Sequence, residues 1–145
     1  MKTNYCVAQS ALQRRPSMTK NRKQVMALLQ TKNTAMSAYE VIAAMQQEYD
    51  VNLHPMAAYR ALDFLLQMHC VLHLRTINKF LYIDGQQHCF WQVFICENCR
   101  QIEKYPLPAT IARPMLQHTG SAFQTKDLHI ELHGLCKNCC DVPHT

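Results

Sequence analysis

Apolar residues in the first half of the chain recur with the period of an α-helix, in three stretches separated by polar breaks. The first stretch runs from about Thr19 to Gln30, where Val25, Leu28 and Leu29 make the stripe and Thr19 is placed to cap the start. Ser37-Ala38-Tyr39-Glu40 has the spacing of a capping box, and Met36 before it can staple onto Val41, so a second helix starts there. A third follows Pro55, a residue suited to a first helical turn. On it Ala58, Ala61, Leu62 and Leu65 share one face and Met56, Arg60, Asp63 and Gln67 another, so one side packs and the other is left to read a partner. After His69-Cys70 the period falls to two. Val71 to Arg75 and Phe80 to Ile83 flank Thr76-Ile77-Asn78-Lys79, the pattern of a β-hairpin with a basic tip.

The second half alternates shorter elements. Val93-Phe94-Ile95 predicts a strand running into Cys96, and Gln101-Ile102-Glu103 another leaving Cys99. Pro108 to His118 predicts a helix broken or kinked near Pro114. Ala122-Phe123 and Leu128 to His133 predict strand, ending at Gly134. The fold class is therefore α+β: an N-terminal winged helix-turn-helix over residues 1–82 and a small C-terminal α/β domain over residues 83–145.

Charge separates the same two halves. Residues 1–82 hold ten Lys/Arg against four Asp/Glu, and residues 83–145 hold five against six. Basic charge on a winged helix points to double-stranded DNA, with the third helix in the major groove and the hairpin on the phosphate backbone. Arg60 is the expected base-edge or phosphate reader, Arg22, Lys20, Lys23 and Lys79 the expected phosphate contacts, and Tyr39 stands beside them as a candidate. Nothing approaches the ~18 consecutive apolar residues of a membrane span, and Met1 to Ser10 has no apolar run, so a cytoplasmic protein without a membrane partner is expected.

The candidate chemistry is metal. Cys96-Glu97-Asn98-Cys99 and Cys136-Lys137-Asn138-Cys139 form two C-x-x-C knuckles with 36 residues between them. Together they offer four thiolates, the donor set of a closed, structural zinc site with no open position for substrate. His129, Glu131 and His133 share one strand face by period two and offer a further donor cluster. An enzyme is not expected. His129-Ile130-Glu131 before Cys136 only superficially matches the H-x-E and P-C-x-x-C arrangement of zinc deaminases, since four residues separate Glu131 from Cys136 and no proline precedes Cys136.

Four stretches, Ser37-Ala38-Tyr39-Glu40, Tyr59-Arg60-Ala61-Leu62-Asp63-Phe64-Leu65, Phe94-Ile95-Cys96-Glu97-Asn98-Cys99 and Ile130-Glu131-Leu132-His133-Gly134-Leu135-Cys136, resemble the ferric uptake regulator family and most of all its zinc uptake regulator branch. The resemblance covers about residues 12–140. It implies a homodimer whose C-terminal domain dimerises, DNA contacts that include Tyr59, and repression of metal-uptake genes when a second, regulatory zinc is bound beside the structural one. It also implies a regulatory ligand set: His73 at the start of the hairpin, Asp84 where the branch has Cys, His88 or Cys89 ahead of the first knuckle, and Glu103 after it, with Lys104 in the aligned place. Ala57-Ala58 replaces the family's Thr-Val before Tyr59, and Ser17-Met18-Thr19-Lys20 replaces its Leu-Thr-Pro. A donor set of nitrogen and oxygen is harder than one with thiolate and discriminates less against Fe(II) and Mn(II), so an iron- or manganese-responsive regulator is one alternative. A thiol redox switch at Cys139-Cys140, Cys89 or Cys70 is the other.

Overall fold

The computed structural model describes residues 17–84, 90–117 and 128–141. The chain divides into two compact units whose boundary falls between residues 84 and 90.

The first unit is three helices and a hairpin. Helix α1, Lys20–Lys32, begins where the Thr19 hydroxyl accepts from the Arg22 amide and ends at Asn33 in the left-handed region. Helix α2, Ala38–Tyr49, carries the full capping box: the Glu40 amide donates to Ser37 Oγ at 3.2 Å and the Ser37 amide to Glu40 Oε2 at 2.6 Å. Helix α3, Pro55–Gln67, has proline in its first turn and His54 as its cap. Ala58, Ala61, Leu62 and Leu65 of α3 are buried against Val25, Leu28 and Leu29 of α1 and Val41 and Met45 of α2, in one core that also takes Phe64. Strands β1, Val71–Leu74, and β2, Lys79–Tyr82, pair antiparallel with His73 opposite Phe80. The hairpin is pinned to the start of α2 by Met36–Phe80 backbone bonds of 2.9 and 2.8 Å and by Lys79 Nζ on Glu40 Oε1 at 3.0 Å.

The second unit is a three-stranded sheet of order β4-β3-β5, made of β3, Phe90–Cys96, β4, Ile102–Pro106, and β5, Leu128–Gly134. Strand β4 returns antiparallel to β3, whereas β5 runs parallel to it, from Phe90 opposite Leu128 to Cys96 opposite Gly134. Helix α4, Ala109–Gln117, lies in the crossover between β4 and β5 and runs through Pro114; Ala112 and Leu116 pack with Phe90, Leu128 and Ile130. A one-turn helix α5, Lys137–Cys140, follows β5 and has no counterpart among the sequence expectations. The predicted strand at Ala122-Phe123 lies outside the described residues. No described helix is long and apolar enough to cross a membrane.

Candidate metal centre and nucleic-acid interface

The parallel pairing of β3 and β5 builds the metal centre. Parallel strands bring their C-terminal ends to the same edge, so the knuckle that follows Cys96 and the one that follows Gly134 meet, joined by the Glu97 amide on the Gly134 carbonyl at 2.8 Å. A tight turn, closed by the Cys96 amide on Gln101 O and with Arg100 in the left-handed region, brings the Cys99 sulfur back beside that of Cys96. Cys136 caps α5 and Cys139 lies within it.

The four ligand sulfurs of Cys96, Cys99, Cys136 and Cys139 lie within 4.8 Å of one another. Cys99 and Cys136 are 3.6 Å apart. A tetrahedron of Zn–S bonds near 2.3 Å has edges of about 3.8 Å, so the donors fit zinc with little movement. The amide of Cys136 donates to Cys96 Sγ and the Asn98 side chain to Cys139 Sγ, both at 3.3 Å, bonds that favour thiolate. The thiols do not ionise alike. Backbone donation, first from Cys136 and then from Cys99, pulls Cys96 down to about 6. Cys99 receives the Gln101 amide, which favours its thiolate, yet the sulfurs of Cys96 and Cys136 push it up to about 12. Taking up a dication therefore expels protons from the cluster. Among the described residues this is the one group of metal-ligating side chains so assembled. His129 and Glu131 pair at 3.6 Å on the face that carries Trp91, Val93 and Ile95.

The residues expected for regulation are placed very differently. His73 stacks on Phe80, with ring centroids 4.6 Å apart and planes within 7°. Its Nε2 lies 3.0 Å from Asn78 Oδ1. In the tautomer that donates from Nε2 to this amide oxygen, Nδ1 keeps the lone pair a metal needs. Asn78 was not singled out in the sequence, although an Asn at a hairpin tip with φ of 51° is a recognisable turn residue. Asp84 is exposed just past the end of β2, where the Ile83 amide bonds the Cys70 carbonyl. Burial, then the Asp84 carboxylate, pushes the Cys70 thiol up. Glu103 and Lys104 project to opposite sides of β4. Glu103 faces outward and accepts from the Tyr105 hydroxyl at 2.9 Å, whereas Lys104 lies half-buried opposite Val93, where burial pushes its ammonium down. A site at this strand can draw on one of these two neighbours, not both. His88 and Cys89 lie outside the described residues.

On the first unit the polar face of α3 is free as expected: Met56, Tyr59, Arg60, Asp63 and Gln67 are exposed, and so are Tyr39 of α2 and Lys20 and Lys23 of α1. Arg22 is committed inside the unit. Its guanidinium lies 4.2 Å from the Phe64 ring centroid and donates to the Ser17 carbonyl at 2.7 Å, pinning α1 to α3. Lys79 is likewise engaged, on Glu40. The unforeseen member is His54, whose Nδ1 accepts the Met56 amide at 3.2 Å and caps α3 from a position usually held by Ser, Thr, Asp or Asn.

Known proteins share this arrangement. The zinc uptake regulation protein of Escherichia coli (strain K12) is 30% identical over 135 residues, covering 90% of this chain and 77% of that protein. A solved zinc uptake regulator complexed with zinc and DNA superposes with a TM-score of 0.70 at 27% identity, over 88% of this chain and 86% of the other. The holo form of the regulator XcZur does so with a TM-score of 0.71 at 25% identity, over 89% and 90%. The sequence model of the Ferric uptake regulator family matches residues 14–133, and with its winged helix, its parallel-strand zinc knuckles and these relatives the chain belongs to the ferric uptake regulator family.

Proposed function

We propose that this chain is a zinc-responsive, DNA-binding repressor of metal-uptake genes that works as a cytoplasmic homodimer and catalyses no reaction. The observation that carries this reading is its likeness, over nearly the whole chain, to a regulator solved with both zinc and DNA. One zinc per subunit is structural, held by Cys96, Cys99, Cys136 and Cys139. A second is regulatory, held by His73 and Asp84 of residues 1–82 and their immediate exit, and by His88 or Cys89 and Glu103 of the dimerisation domain. When these residues share one ion they hold a single arrangement of the two domains, and that arrangement sets the distance between the two recognition helices of the dimer. The hairpin is fixed to α2 through Met36–Phe80 and Glu40–Lys79, so a change of its position carries α3 with it.

DNA contacts fall to Tyr39, Tyr59, Arg60 and Lys20, while Arg22 adds its charge to the same unit from its seat on Phe64. Dimerisation falls to the second unit. Phe94, Tyr105 and Leu132 are exposed on the sheet face whose other end, at Phe90, packs with α4, Ile111 and Met115 are exposed on α4, and β5 is an edge strand among the described residues. The raised Cys70 thiol weighs against peroxide sensing at that position, because the thiolate is the reactive form.

The test is a mobility shift with metal-stripped protein on DNA chosen by zinc-loaded protein from a random pool, titrated separately with zinc, Fe(II) and Mn(II). Retardation restored by zinc at the lowest concentration is expected. Restoration only by Fe(II) or Mn(II) would make the metal assignment wrong, and DNA binding indifferent to every metal would end the proposal.

A further inference from the structure

In the described part of the first unit, three large hydrophobic side chains are exposed: Tyr39 at 73%, Met56 at 57% and Tyr59 at 41%. Single exposed apolar residues need no explanation, but these are not scattered. All three sit in the first two turns of α2 or α3, the helices of the proposed DNA-binding motif. Two of them end in a phenol that can bond phosphate or a base edge. Met56 ends in a thioether, a weak acceptor with no proton to donate.

Met56 stands three and four residues before Tyr59 and Arg60, so it shares their face of α3 at the end where a recognition helix meets base edges. Its backbone donor is already used, because His54 Nδ1 takes the Met56 amide at 3.2 Å. What Met56 offers a partner is therefore a flexible, polarisable, apolar side chain. In the major groove the group on a base edge that suits such a side chain is the C5-methyl of thymine, since the other edges present hydrogen-bond donors and acceptors.

We propose that Met56 reads a thymine methyl in each half-site and is a specificity-determining residue of this regulator. The inference rests on α3 being the DNA-reading helix. The neighbouring Ala57 is half-buried and Ala58 fully buried, so the thioether is the apolar group of that turn that extends furthest from the helix.

The experiment is selection from a random duplex pool by the zinc-loaded, full-length parent and by Met56→Ala, Met56→Leu and Met56→Gln. The exposed position leaves folding intact, which circular dichroism of each variant checks. The parent is expected to fix thymine at one position per half-site. Met56→Ala and Met56→Gln are expected to lose that preference while keeping the rest of the motif, and Met56→Leu to retain it. Replacing that thymine by uracil removes the methyl alone, and is expected to weaken the parent roughly fourfold per half-site, the worth of one buried methyl, while leaving Met56→Ala unchanged. Identical motifs from parent and Met56→Ala, or equal binding of the parent to thymine and uracil sites, would overturn the assignment. A parent that selects no motif would instead sink the DNA-binding reading itself.

Discussion

The four sulfurs of the cysteine cluster come from one end of one sheet, whereas the described donors proposed for regulation come from a hairpin strand, its exit and an outward position on β4. The first set is assembled by backbone hydrogen bonds that exist for other reasons: strand pairing brings Cys96 beside Gly134, and the knuckle turns do the rest. The second has no such frame within a single unit. His73 is oriented by its own hairpin, through Asn78 and Phe80, and Asp84 stands exposed. The contrast separates permanence from sensing. Ligands that are neighbours by fold can be filled without any change elsewhere in the chain, while the regulatory set proposed above would tie its occupancy to the arrangement of its donors.

The largest effect should come from breaking the first set. Cys96→Ser removes the thiolate that the backbone favours most, and structural zinc in small domains is worth an apparent ~10–16 kcal/mol. Amide hydrogen exchange is expected to show β3 and β5 unprotected in this variant while α1, α2 and α3, which have their own core, stay protected. Persistent protection of β3 and β5 would mean that the cysteine cluster is not what holds the second unit.

Next in size is the second set. A His73→Ala, Asp84→Ala double variant should bind operator like metal-free parent, about 5–150-fold more weakly than zinc-loaded parent, as coupling of ~1–3 kcal/mol requires. Its structural zinc, counted by metal analysis, should be unchanged. If this variant still tracked zinc as the parent does, the regulatory ligands lie elsewhere.

A smaller effect tests the reading face against the basic residues that the fold has already used. Arg60→Ala is expected to lose ~1–3 kcal/mol of operator binding and to relax the preference at one base, whereas Arg22→Ala should act mainly on stability, by freeing Phe64. Titrations on matched and mismatched duplexes, beside thermal melts, separate the two. An Arg60→Ala protein with intact operator preference would remove that residue from the groove.

The smallest is a pH effect at the start of α2. Backbone donation from Ser37, and then the Lys79 ammonium, hold the Glu40 carboxyl below its ordinary value of 4.5. Glu40 thus stabilises the fold above its unfolded value, and the contribution disappears as pH falls through the lower, folded one. With both partners partly exposed it amounts to well under ~1 kcal/mol. Urea melts of Glu40→Gln should lack that acid-side loss between pH 5 and pH 3, values that bracket the range in which a carboxyl of this kind titrates.

What the sequence disclosed follows the range over which each interaction acts. Thr19, the Ser37–Glu40 box and Pro55 mark helix starts correctly because capping involves residues two or three apart. The two faces of α3 were legible for the same reason. The cysteine doublets announced their metal, but not that parallel strands join them, since alternation along a strand is blind to its partner's direction. Arg22 on Phe64 and Lys79 on Glu40 depend on how elements cross, so the contacts these two expected phosphate readers make within the fold were not legible. The regulatory set was readable only by resemblance, because its donors have no spacing of their own.

The parallel pairing of β3 with β5 also makes the metal centre depend on a contact between residues distant along the chain. A hairpin such as β3–β4 closes as soon as it is made, but a parallel neighbour must wait for the crossover that carries it. Until residues 128–134 pair with β3, the first cysteine pair offers two donors without the other two. The four-sulfur site is therefore complete only when the strand that leads to Cys136 and Cys139 lies beside β3, so enclosing an ion there also locks the crossover at both of its ends.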